Sequence, residues 1–492
     1  MNYPGLAALL TITTACHAAC ANAHTPANLP DPPISRSVTS TKVTSTKISG
    51  TYRALWADPE IEARIASGIE RHRKTDIVLR VTDASGKPVP RVRVESVQTT
   101  SDFHFGANIF MFGGYPTPEL NARYEAAFLG LFNAATVPFY WRGLEPERGK
   151  PRYAVDSSFV ARRPPPDAIV AFCERHGLRM HGHPLVWDFF KWSAPDWLSH
   201  DPAQADDNAR LWEARIREIA TRYDGRIRRW DGLNESLGSP GPSGRVAKGE
   251  SCAMPEGHER MAFEWAANAF PPGTRFDINE VTAVWFSDGR RGLDNYRAQI
   301  DQLLRDGAPI GGIGLQFHNF RDDNLHRIVA GKRFPPRQLL HALDTLAPFG
   351  LPLHVSEITL TSPGNNASSQ AAQAEVARNF YRLWFSHPSV DSITWWNVPD
   401  GGAAPGEDKV ASGLLNRDLT PKPAYDVLKN LIHDEWRTRD AGETDASGRH
   451  AFRGFHGRYR VTLVSNGVTH TRDISLSRPA PAAPPPEITL SL

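Results

Sequence analysis

Between residues 103 and 435 the chain alternates short apolar runs with longer stretches of helical spacing, the pattern of repeated βα units. The runs that read as strands are Phe103 to Asn108, Ala134 to Phe139, Leu178 to His183, Ile227 to Glu235, Arg275 to Glu280, Ile310 to His318, Leu353 to Glu357 and Ser392 to Trp396. Runs of this kind are buried on both faces, and eight of them predict an α/β chain closed into a (β/α)8 TIM barrel over 103–435. An open doubly wound sheet is the competing arrangement. It would carry a glycine-rich phosphate loop after its first strand, and this chain has none there.

The flanks follow other periods. Ile61, Ile65 and Ile69 recur at helical spacing, which predicts a lead-in helix within 51–75. Ile77, Leu79 and Val81 then alternate, D-A-S-G-K-P turns the chain, and Val89 to Val97 alternates again. This N-terminal β segment, 76–102, reads as a hairpin or as a pair of sandwich strands. T-D-A-S-G recurs at Thr444 to Gly448, followed by Phe452, Tyr459 to Val464 and Val468 to Leu476 in a C-terminal β segment, 436–478. The two flanks resemble the parts of a small prealbumin-like sandwich. Neither buries enough surface alone, so the expectation is one small all-β domain assembled from both, with two independent appendages as the alternative. Residues 24–50, rich in Pro, Thr and Ser, read as a disordered linker, and the Pro-rich tail at 479–492 as stiff and disordered.

Net charge is +2 with 22% charged residues, which excludes the strongly basic surface that nucleic acid or anionic membranes require. At the start, an apolar run from Leu6 to Ala15 and small residues at Ala21 to Ala23 read as a signal peptide over 1–23, although its first residues lack Lys or Arg. The mature chain is therefore expected to be secreted. Lipid anchoring at Cys16 or Cys20 is the weaker reading, because neither has a leucine three residues upstream. No later stretch approaches the length of a membrane span, so no membrane insertion is expected. Of 4 cysteines, Cys173 and Cys252 remain after the leader, too few for a disulfide framework. With no C-x-x-C or H-E-x-x-H pair, no metal and no cofactor are predicted. The 13 tryptophans fit a carbohydrate site, where sugar C–H faces stack on indole rings.

Two predicted strands end on glutamate: W-D-G-L-N-E at Trp230 to Glu235 and L-H-V-S-E at Leu353 to Glu357. Either glutamate alone reads better as a helix N-cap neighbour or a surface charge. Together, at the carboxyl ends of barrel strands, they suggest glycoside hydrolysis by a carboxyl pair.

Further fragments make a resemblance specific. E-P-E-R-G at Glu145 to Gly149, H-G-H-P-L-V-W at His181 to Trp187, W-D-G-L-N-E, G-I-G-L-Q-F-H at Gly312 to His318, V-S-E-I at Val355 to Ile358 and P-K-P-A-Y at Pro421 to Tyr425 stand in one order. In that order the barrel resembles glycoside hydrolase family 10, the retaining β-1,4-xylanases. The resemblance implies Glu235 as acid/base and Glu357 as nucleophile, about 5–5.5 Å apart. It implies Asn234 on the sugar 2-hydroxyl, Gln316 and His318 directed at the nucleophile, His183 on the reacting sugar, and Trp187 and Trp396 as apolar walls. Cys173 and His181 read as structural.

The chain also departs from that family. Thr136 to Trp141, T-V-P-F-Y-W, lacks the Glu, Asn and Lys that hold the donor-side sugar. Thr359 replaces the aspartate that orients the strand-six histidine, position 188 is Asp instead of His, and Gly401 to Ala404 offers no tryptophan. The expected protein is a monomeric endo-1,4-β-xylanase acting on a polysaccharide or oligosaccharide, specialised for short or decorated chains. A hydrolase of another β-glycoside or exopolysaccharide, and a non-catalytic carbohydrate-binding protein, are the alternatives.

Overall fold

The computed structural model describes residues 46–237, 248–407, 410–478 and 484–492. The chain enters through two helices, Gly50–Trp56 and Pro59–Arg73, and two strands, β1 (Lys74–Thr82) and β2 (Arg93–Ser101). Eight parallel strands follow: β3 (His104–Asn108), β4 (Ala134–Pro138), β5 (Arg179–His183), β6 (Arg229–Asn234), β7 (Arg275–Glu280), β8 (Gly312–Asn319), β9 (Leu353–Leu360) and β10 (Val390–Trp395). They pair in sequence, and β10 closes the barrel on β3. The (β/α)8 barrel predicted from the apolar runs is therefore present. Every residue of β6 and β9 is buried, as strands covered on both faces require.

The helices around the barrel present one apolar stripe each. Pro166–His176 buries Ile169, Val170, Phe172 and Cys173, which makes Cys173 a core side chain. It starts on proline in its first turn, where a missing N–H removes no helical bond, and Gly177 ends it in the left-handed conformation. Between strands and helices, Gly182 lies under the Trp230 ring, which packs on Phe139 and Phe270, so closely that a Cβ there would fall 2.1 Å from it.

Five more strands come from the C-terminal flank: β11 (Arg439–Glu443), β12 (Arg449–Phe455), β13 (Gly457–Ser465), β14 (Val468–Leu476) and β15 (Glu487–Ser491). β1 lies between β12 and β15, and β2 lies between β11 and β13. Each N-terminal strand is thus central in a sheet otherwise built from the far end of the chain, and the flanks form one all-β domain. Ile77, Leu79, Val81, Val94, Val461 and Leu463 fill its core. The domain is clamped to the barrel by Arg73, whose guanidinium donates to the carbonyls of Phe385, His387 and Val390 at 2.5–2.6 Å and lies over Phe103. Stacking of Phe385 on Trp436, with centroids 4.1 Å apart, adds to that clamp.

Three expectations change. β1 and β2 belong to different sheets, so of the two readings of 76–102 the pair of sandwich strands holds and the hairpin falls; Val81 and Val94 converge on the core from opposite sides. The lead-in helix is two helices, because Asp58 caps a new one at Pro59, and strand already begins at Lys74. The tail is not wholly disordered: after its last proline, E-I-T-L-S alternates, and β15 pairs in parallel with β1 and buries Leu490. The predicted signal peptide, most of the linker and residues 479–483 lie outside the described residues.

Removing residues 484–492 will uncover one edge of β1 and take away the apolar cover of Leu490 and half-buried Ile488, about 2–3 kcal/mol of apolar burial. Scanning calorimetry is expected to show a melting temperature lowered by a few degrees. An unchanged melt would show that β15 contributes nothing.

Candidate active site

Glu235 follows the last residue of β6, whereas Glu357 lies inside β9, which runs past the predicted end at Glu357 to Leu360; the two strands are separated by β7 and β8. The intervening strands brace the pair crosswise. From β7, Asn279 Nδ2 donates to Glu357 Oε1 at 2.8 Å and to Asn234 Oδ1 at 2.9 Å, while Ser356 Oγ donates to Asn279 Oδ1 at 2.6 Å. From β8, Gln316 Nε2 donates to Glu235 Oε1 at 3.0 Å. Gln316 therefore holds the predicted acid/base and not the predicted nucleophile. Its register partner on β9 is Glu357, but its amide reaches across to β6.

Glu235 sits just past β6 with φ 52°, a left-handed backbone that a glutamate adopts only at a cost of about 1 kcal/mol. Its own N–H bonds to Asn279 O at 2.9 Å, and Arg291 stands 3.9 Å from its carboxylate. Glu280, wholly buried, accepts from the Leu237 N–H and from Arg291 at 3.0 Å, so it anchors the turn that follows Glu235. Burial pushes its carboxyl up to about 7, against the pull of Arg291.

Burial also pushes the Glu357 carboxyl up to about 8; His183 opposes the rise, and the negative charges of Glu235 and Asp231 add to it. His318 Nε2 lies 3.0 Å from Glu357 Oε2, and its Nδ1 lies 2.9 Å from Thr359 Oγ1. Burial holds His318 down to about 4, so at neutral pH the His318–Glu357 contact is a hydrogen bond and not an ion pair. A threonine hydroxyl both donates and accepts, so Thr359 fits either tautomer of that neutral ring. Behind the pocket, Asp231 Oδ2 accepts from His183 Nδ1 at 2.6 Å, and His181 Nε2 stands 3.1 Å from Oδ1. Burial alone would raise the Asp231 carboxyl, but the two histidines hold it well below the usual range.

These groups face one pocket of about 310 Å³ that brings together His183, Trp187, Asn234, Glu235, Gln316, His318, Glu357 and Trp396, all of the predicted site residues. Trp187 and Trp396 pack with Phe110 and Tyr140 as its apolar wall. Asn234 Nδ2, Trp187 Nε1 and Gln316 Oε1 are buried without a hydrogen-bond partner among the described residues, leaving polar atoms for a ligand. Sequence reasoning missed Asn279, Tyr140, Arg162, Arg163 and Glu407. Asn279 carried a signal: D-I-N-E at 277–280 repeats the Asn-Glu strand ending of Asn234-Glu235.

A group with metal-binding reach lies inside the barrel, where ligand atoms of His181, Asp277 and His354 fall within 4.8 Å of one another. The Asp277 carboxylate is already bonded to Arg229 and Arg275, whose charges oppose a cation there. Among the described residues, no helix is long and apolar enough to cross a membrane.

Asn279→Ala will remove the donor shared by Glu357 and Asn234. Because it braces the reacting groups, kcat is expected to fall about a hundredfold with KM changed far less. A rise in KM alone would limit Asn279 to ligand binding.

A parallel eight-stranded barrel with a carboxyl pair braced at the carboxyl ends of its strands defines a site of the glycoside-hydrolase kind. The model of Glycosyl hydrolase family 10 matches residues 141–431, and the chain belongs to that family. It is 28% identical over 405 residues to the anti-sigma-I factor RsgI6 of Acetivibrio thermocellus, covering 81% of this chain and 46% of that protein. It is 25% identical over 373 residues to endo-1,4-beta-xylanase B of Thermotoga neapolitana, covering 73% of this chain and 96% of that enzyme. This chain thus spans less than half of the first relative and nearly all of the second. The crystal structure of xylanase 10B from Thermotoga maritima superposes with a TM-score of 0.53 at 20% identity, over 68% of this chain and 96% of that one. Xylanase 10B from Thermotoga petrophila in complex with xylobiose gives 0.53 at 20% identity, over 69% and 98%.

Proposed function

We propose that the protein is a secreted, retaining endo-1,4-β-xylanase cleaving xylan or decorated xylo-oligosaccharides. The observation that carries this reading is the crosswise bracing of Glu235 and Glu357 over one pocket, supported by the xylanases among the relatives. A pure binder needs no such pair. Glu235 protonates the glycosidic oxygen while ionised Glu357 attacks the anomeric carbon, giving a glycosyl-enzyme; Glu235 then removes a proton from water. The two carboxyls must hold one proton between them: with two there is no nucleophile, with none there is no acid. Asn234 Nδ2 meets the 2-hydroxyl, and the His318 N–H stabilises the carboxylate of Glu357.

The raised Glu357 carboxyl means that the pair keeps its proton through neutrality, so the rate is expected to fall above about pH 8. The test is mass spectrometry of products from glucuronoxylan and arabinoxylan, with NMR of the first anomer released. Xylo-oligosaccharides released first as β-anomers support the reading. No products from either polymer would leave hydrolysis of a different β-glycoside, and α-anomers would overturn retention.

A further inference from the structure

The pocket wall beside β4 is built from cations. Arg162 and Arg163 line both the catalytic pocket and a second cleft of about 700 Å³ that opens next to it, and Trp192 and Ala404 also belong to both. The lining of the second cleft includes Arg142, Arg162, Arg163 and Lys191 and, among the described residues, no acidic side chain. Arg142 is paired with Asp196 at 2.7 Å, and Arg162 donates to Gly402 O at 2.7 Å and Asn397 Oδ1 at 3.1 Å. Arg163 and Lys191 form no ion pair among the described residues. Arg163 lies over the Tyr140 ring at 3.6 Å and donates to Arg162 O, while Lys191 lies over Trp192 at 4.5 Å. Glu407, which also lines the catalytic pocket, acts on Arg163 through space.

The position of Arg163 is built into the backbone. Its stem crosses Gly143, where a Cβ would sit 2.7 Å from Arg163 Cγ, and Arg162 before it holds a left-handed φ of 59°. Such a conformation costs a non-glycine residue and persists where its surroundings enforce it. Tyr140 belongs to Thr136–Trp141, the segment that lacks the family's neutral and charged donor-side ligands. A stacked guanidinium presents two parallel N–H donors, geometry that matches a carboxylate and that a neutral sugar hydroxyl does not need. Exposed Phe159 and half-buried Trp192 offer flat faces at the rim of the same cleft for a pyranose ring.

We propose that this cleft receives a carboxylate-bearing sugar, a uronic acid unit on the donor side of the scissile bond, with Arg163 as its bidentate partner and Lys191 as a second charge. The inference rests on the glycoside-hydrolase reading of the adjoining pocket and adds an acidic substrate class to it.

The test compares kcat/KM on glucuronoxylan with that on the same polymer after chemical reduction of its carboxyls to alcohols. The wild type is expected to prefer the acidic polymer about tenfold, and Arg163→Gln and Lys191→Gln to bring the ratio toward one. Lys191 is exposed, so its variant reads the charge without a folding defect. An unaltered ratio in both variants, or equal rates of the wild type on the two polymers, would overturn the proposal. If neither polymer is cleaved, the xylanase reading fails while the cleft is still tested, by NMR titration of the tryptophan indole signals with free glucuronic acid. Shifts that disappear in Arg163→Gln and do not arise with glucose support the acidic site; no shift, or equal shifts with glucose, would overturn it.

Discussion

Glu357→Gln is expected to lower kcat by at least about three orders of magnitude while making the protein more resistant to heat at alkaline pH. The loss follows from chemistry: an amide cannot form the glycosyl-enzyme, and removing a member of a concerted catalytic set forfeits nearly all that the set contributes. The gain follows from linkage. Burial raises the folded-state value of Glu357 to about 8, above that of an unfolded glutamate. The unfolded chain therefore loses its proton first as pH rises. The stability contributed by the neutral carboxyl is complete below about pH 4 and is lost progressively up to about pH 8.

The amide variant has no such loss. Its side-chain oxygen can accept from Asn279, and its NH₂ can donate to His318 Nε2 once the ring proton moves to Nδ1 and the Thr359 hydroxyl accepts it. The melting temperature of the variant relative to wild type is expected to climb by several degrees between pH 5 and pH 8. A constant offset across that range would show that Glu357 is not held neutral in the folded protein.

The barrel was legible because its strands are buried on both faces: short stretches rich in apolar residues, such as that holding Leu353, Val355 and Ile358, recur at the spacing of βα units even where buried polar residues such as His354 interrupt them. Glu235 and Glu357 were legible as charges set into such stretches, although β9 runs on past Glu357 to Leu360. What escaped was cross-strand reach. Nothing in Gln316 as a letter says that its amide passes its register neighbour Glu357 and bonds Glu235 two strands away. Arg162 and Arg163 escaped because they sit in an irregular segment between Val155 and Pro166, where there is no periodicity to say which way a side chain points. Their placement depends on Tyr140 and Gly143, about twenty residues earlier in the same long connection between β4 and the helix at Pro166, a contact no local pattern announces. β15 escaped because five residues after a proline run cannot form a strand alone; they become one only where β1 offers an unpaired edge.

Glu235→Ala will separate the role of one carboxyl from that of the other through the leaving group. The backbone at 235 keeps its left-handed strain with either side chain, and Gln316 Nε2 is left facing the pocket and its water, so the fold is expected to hold. On a polysaccharide, whose leaving sugar hydroxyl needs a proton, kcat is expected to fall about 10²- to 10⁴-fold. On a dinitrophenyl β-glycoside of the same sugar, the departing phenolate needs none. Formation of the glycosyl-enzyme then stays fast, and the intermediate accumulates for want of a base to activate water. A burst of phenolate followed by slow turnover is the expected trace. Azide, an anion that attacks without a base, will restore turnover and yield the β-glycosyl azide, because its attack inverts an α-linked intermediate. The same experiment on Glu357→Ala is expected to give the α-azide, from direct attack on the β-glycoside. If both variants lost the two substrates equally and neither answered to azide, the assignment of acid/base to Glu235 and nucleophile to Glu357 would fall. The bracing by Asn279 and Gln316 would then belong to a binding site and not to a catalytic one.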